Sequence, residues 1–130
     1  MGRIFSRASA FDQDLSKWDV SAVTNMGSMF SHASVFNQDL SKWDVSAVTD
    51  MGSMFDHASA FNQDLSKWDV SGVTDMKFMF FGASSFKREL CGDAWVNTKA
   101  DKTVMFIDSP GLISSTVCAT ARPGYGEGYG

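Results

Sequence analysis

A 25-residue period constrains this chain more than any other feature. Residues 1–25 read MGRIFSRASAFDQDLSKWDVSAVTN, residues 26–50 read MGSMFSHASVFNQDLSKWDVSAVTD, and residues 51–75 read MGSMFDHASAFNQDLSKWDVSGVTD. The second and third blocks differ at three positions only: Ser31/Asp56, Val35/Ala60 and Ala47/Gly72. A fourth block opens as MKFMFFGASSFKREL at Met76 and then departs into CGDAWVNTKADKTVMF, keeping Trp95 and a Met105–Phe106 pair. A period of about 20–29 residues is that of leucine-rich-repeat architectures, in which one unit cannot bury its own apolar face and relies on its neighbours.

Within a block the apolar pattern changes period. Met26, Met29, Phe30 and Ala33 fall at i, i+3, i+4 and i+7, which predicts one face of a short helix. Thr24 and Asn25, with Asp50 and Asp75 in later blocks, precede that helix and suit an N-cap. Leu40, Trp43 and Val45 set apolar side chains beside Lys42 and Asp44, which predicts a short half-buried strand. The expected fold is therefore an α/β repeat solenoid, right-handed and leucine-rich-repeat-like, with a short parallel sheet and one short helix per 25-residue coil. Columns such as Trp18, Trp43, Trp68 and Phe11, Phe36, Phe61, Phe86 are read as core rather than as a ligand box. The expected division is a repeat solenoid over 1–90 (blocks 1–25, 26–50, 51–75 and 76–90 onward), a C-terminal capping repeat over 91–118, and a flexible Gly/Tyr tail over 119–130. In that tail four of the last seven residues are Gly, and Tyr125 and Tyr129 stand among them.

Composition narrows the function. Eleven Lys+Arg against 15 Asp+Glu leave a net charge of −4, the wrong sign for a general nucleic-acid binder. No apolar run approaches the roughly 20 residues of a membrane span, and MGRIFSRASAF carries no signal-peptide apolar core. There is no Walker loop, no dinucleotide fingerprint and no isolated Ser/His/Asp set, so no enzyme and no cofactor are expected.

The unit F-N-Q-D-L-S-K-W-D-V-S-x-V-T-D-M-x-x-M-F resembles the repeat of BspA-like leucine-rich-repeat surface proteins, over roughly residues 1–90. The same repeat type occurs in mycoplasma surface lipoproteins and in arrays of microbial eukaryotes. The resemblance implies an extracellular or cell-surface protein without catalytic residues, used in adhesion or in assembling surface layers. Cys91 and Cys118 stand 27 residues apart, close to one repeat. That spacing and the surface setting point to a disulfide, with two separate reduced thiols as the alternative.

Two functional readings follow. The first is a structural element joining end to end through an uncapped N-terminal coil, with Met1, Ile4, Phe5 and Ala8 at the open end. The second is an adhesion or recognition module reading a repetitive ligand on the strand face formed by Lys17, Asp19, Ser21, Lys42, Asp44, Ser46, Lys67, Asp69 and Ser71. On that face each Asp is also placed to pair with a Lys across strands. The partners expected are protein (this chain itself or another surface protein) or polysaccharide, with no nucleic acid and no membrane span. Acidic columns run through Asp14, Asp39, Asp64 and through Asn25, Asp50, Asp75. They raise calcium as an alternative, against side chains that merely cap turn amides. His32 and His57 lie one repeat apart and read as surface residues, and no metal is assigned to them.

Overall fold

Turns, rather than helices and strands, carry most of this chain. The structure is a computed structural model that describes residues 1–119, so the tail expected over 119–130 lies outside it beyond Ala119. Among the described residues, the regular elements are β1 (Glu89–Leu90), α1 (Asp93–Val96) and β2 (Leu112–Ile113), with β1 and β2 paired in parallel. The expected α/β solenoid of leucine-rich-repeat type is thereby corrected. No block from 1 to 75 contains a helix or a strand of a sheet, and the pairing there is limited to the bridges Asn25–Asp50, Asp50–Asp75 and, onward, Asp75–Asp101.

The segment expected to be helical shows why. The amides of Met29, Ser31 and Ala33 donate three residues back, to Met26, Ser28 and Phe30. The amides between them point elsewhere: Met26, Ser28, Phe30 and His32 donate to Asp50, Gly52, Met54 and Asp56 at 2.7–2.9 Å. Half the amides are thus diverted to the next block, and no α-helical ladder closes. Ser28 and His32 also sit at φ 58° and 59°, as do Ser53 and His57 at 56° and 55°, in the left-handed region that interrupts a right-handed helix. Met26, Met29, Phe30 and Ala33 are nonetheless fully buried. The i, i+3, i+4, i+7 spacing identifies the buried side chains, and a run of turns buries the same set.

The expected strand is curled for a similar reason. The Asp39 carboxylate accepts from the Ser41 amide and the Asp44 carboxylate from the Ser46 amide, while the Trp43 amide closes on the Leu40 carbonyl. Short side-chain acceptors two residues ahead of an amide offer the backbone a turn in place of a ladder.

The core is one cluster, organised by aromatic stacking between blocks. Phe5, Phe30, Phe55, Phe80 and Phe106 stack at 5.4–5.6 Å, and each of Phe5, Phe30, Phe55 and Phe80 packs at 4.1–4.2 Å on Phe11, Phe36, Phe61 or Phe86. Indole hydrogen bonds join the layers, from Trp43 to the Leu15 carbonyl, Trp68 to Leu40 and Trp95 to Leu65. The last of these spans 30 residues where the other two span 28, because Trp95, carried on α1, stands two residues later in its block than Trp43 and Trp68 do in theirs. At the C-terminal side β2 pairs with β1, the Cys118 amide donates to the Cys91 carbonyl, and Cys91 and Cys118 form a disulfide with Cα atoms 4.8 Å apart.

Candidate functional site

The Lys, Asp and Ser side chains expected on a strand face belong to separate turns. Asp19 and Asp44 each accept from both the amide and the hydroxyl of the serine two residues on, Ser21 and Ser46, and Asp69 accepts from the Ser71 amide. The serine hydroxyl, then the serine amide, hold these three carboxyls below the usual carboxylate range. Thr103 does the same for Asp101. At Asp14 and Asp39 the Ser16 and Ser41 amides are the larger cause. Lys17, Lys42 and Lys67 are exposed and make no ion pair with these carboxylates; among the described residues the ion pair is Lys77–Asp75, and Asp56 contacts the His57 imidazole.

Both earlier functional readings are corrected by this geometry. The repetitive ligand face presupposed a strand surface, and the residues named for it lie in turns with their carboxylates committed to neighbouring serines. End-to-end assembly presupposed an open leucine-rich-repeat coil. Instead Phe5 stacks on Phe11 and Phe30 and is half-buried with Ala8, leaving Met1 and Ile4 exposed at 40% and 51%. Nothing in the architecture supports either role, and the descriptions as a structural or adhesion repeat protein go with them.

The acidic columns raised for calcium also hold turns. Asp14, Asp39 and Asp64 accept from Ser16, Ser41 and Ser66, and Asn25, Asp50 and Asp75 accept from the amides of Gly27, Gly52 and Lys77. The second column lines an open hollow of about 500 Å3 with Gly2, Gly27 and Gly52. A side chain at Gly27 would press on Asn25, since a Cβ there would lie 3.1 Å from its Oδ1.

One group of side chains has a different character. Among the described residues, His32, Asp56 and His57 place one ligand atom each within 4.8 Å of one another. The two imidazoles stack with centroids 4.7 Å apart and planes 8° from parallel. His57 Nδ1 contacts the Asp56 carboxylate. The backbone sets this up: the His32 amide donates to the Asp56 carbonyl and the His57 amide to the Phe81 carbonyl, both at 2.7 Å. Phe81 then meets the His57 ring edge-on at 5.1 Å. The stacking of His32 and His57 follows from their spacing of one repeat, but reading them as surface residues leaves out Asp56. The signal was the Ser31/Asp56 difference, one of three between two otherwise identical blocks.

No curated protein matches the chain, and no solved structure does. The expected membership among BspA-like leucine-rich-repeat surface proteins is corrected on two counts: the chain lacks that architecture, and the family model that matches it is a different one. It matches residues 1–112, most of the chain, and so this protein belongs to the family described as "Mycoplasma protein of unknown function, DUF285".

Proposed function

We propose that this chain is a non-catalytic binding protein of an oxidising, extracellular or cell-surface compartment, with a protein or polysaccharide as its partner. The observation that carries the compartment is the Cys91–Cys118 disulfide, since such bonds persist where thiols are not kept reduced. Among the described residues no helix is long and apolar enough to cross a membrane.

One observation supports binding over catalysis. The larger hollows are open and lined mainly by polar turn residues, unlike the enclosed apolar pockets of most small-molecule sites. The net charge of −4 argues for a partner other than nucleic acid.

Labelling intact producing cells with a membrane-impermeant maleimide tests the compartment. Modification of Cys91 and Cys118 only after a brief external reduction is the expected result. Labelling without reductant, or none after it, overturns the proposal. Cross-linking on the same cells tests the partner, and recovery of the chain with nucleic acid in place of protein or glycan would count against it.

A further inference from the structure

We propose that His32, Asp56 and His57 form a binding site for a divalent late first-row transition ion, with zinc as the first case. The donor set is two imidazoles and a carboxylate, which suits Zn2+ and its neighbours and is poor for Ca2+ or Mg2+, whose shells are built of oxygen. Three protein ligands leave the remaining position to water.

Ligand atoms on one tetrahedral zinc sit about 3.3 Å apart, given bonds of about 2.0–2.1 Å. The present spacings, all within 4.8 Å, close to that by side-chain rotation. Rotation is required, because parallel imidazoles aim their lone pairs alongside each other and not at one point. His57 is the ring with more room to turn: it is exposed, whereas His32 is half-buried. Gly82 follows His57 in the same column, and a Cβ there would come within 2.9 Å of the imidazole. The space that the ring occupies thus depends on the absence of a side chain at residue 82. Asp56 already brings its carboxylate against His57 Nδ1, so this oxygen and this nitrogen lie on the same side of the ring, where one ion can reach both.

The site is confined to the middle of the chain. The residue before His32 in the column is Arg7, and the one after His57 is Gly82, neither of which binds a cation of this kind. The second block carries Ser31 where the third carries Asp56, so a single substitution between near-identical blocks completes the donor set.

Isothermal titration of the full chain with Zn2+ near neutral pH tests the proposal, with Ca2+ as the comparison ion. Asp56→Ser and His57→Gly install residues already used at these positions by Ser31 and Gly82, so both variants are expected to fold, with circular dichroism as the check. The expected result is saturable binding of one Zn2+ by the wild-type chain and no uptake of Ca2+. Each variant should weaken zinc by at least the roughly 10–100-fold that loss of an outer-shell partner costs. Asp108→Ser, one column step beyond Gly82, should leave the affinity unchanged. Absence of saturable zinc binding by the wild-type chain, or equal affinity in wild type and both variants, overturns the site.

Discussion

The indole Nε1 of Trp68 donates to the carbonyl of Leu40 at 2.8 Å, across 28 residues of sequence. Trp68 is 1% exposed, so the bond lies inside the layer boundary between two blocks. The same carbonyl also accepts the Trp43 amide at 3.1 Å, which ties the turn of one block to the indole of the next.

Trp68→Phe keeps most of the apolar surface and deletes the bond. It is expected to destabilise the protein by about 1–2 kcal/mol. Trp18, 39% exposed in the first block, is the comparison. Urea midpoints of Trp68→Phe and Trp18→Phe check this, and equal midpoints would show that the inter-block bond contributes nothing.

Phe55 lies at the centre of the aromatic stack, 5.5 Å from Phe30, 5.4 Å from Phe80 and 4.2 Å from Phe61, and is fully buried. Phe55→Ala should cost about 3–5 kcal/mol, the range for emptying a buried aromatic site. Phe106→Ala, at the half-buried end of the stack, should cost visibly less. Denaturant unfolding of the two variants gives the ordering, and a reversed order would refute the layered core.

The lowered carboxyls make stability sensitive to acid with a defined sign. Asp19, Asp44, Asp69 and Asp101 have folded pKa values below the ordinary 3.8, owing first to the Ser or Thr hydroxyl and then to the amide. A depressed folded pKa contributes stability that is present above 3.8 and lost as pH falls below it through the folded value. Ser46→Ala removes the larger cause at Asp44, so the Asp44 titration followed by carbonyl NMR should move up toward the ordinary value. An unmoved titration would mean that the hydroxyl bond is not formed in solution.

Reduction of the Cys91–Cys118 bond releases a loop closed over 27 residues. In the chain-entropy model this costs about 3–4 kcal/mol. Thermal unfolding with and without a phosphine reductant reads the loss. Cys118→Ser should reproduce the reduced value, and no difference between oxidised and reduced protein would contradict the assignment.

The residues of the core were legible in the sequence and their backbone was not. Met26, Met29, Phe30 and Ala33 announce themselves by spacing, because burial selects apolar side chains whatever the backbone does. Gly27 and Ser28 are poor helix formers, and Ser28 stands at φ 58°, yet spacing alone favours the helix. The His32–Asp56–His57 group was half legible. His32 and His57 are one period apart and thus neighbours in space, whereas Asp56 joins them only because the ladder runs from the His32 amide to the Asp56 carbonyl.

By itself, then, the sequence determined the 25-residue period, the apolar set of each block and the acidic residues poised to cap turn amides. Tertiary structure decided what becomes of the amides. Every second amide of the Met26–Ala33 segment finds its acceptor in the next block and not in its own, and that choice replaces helices by turns. An acceptor 24 residues away along the chain exists only once the blocks have packed, so no local propensity records it.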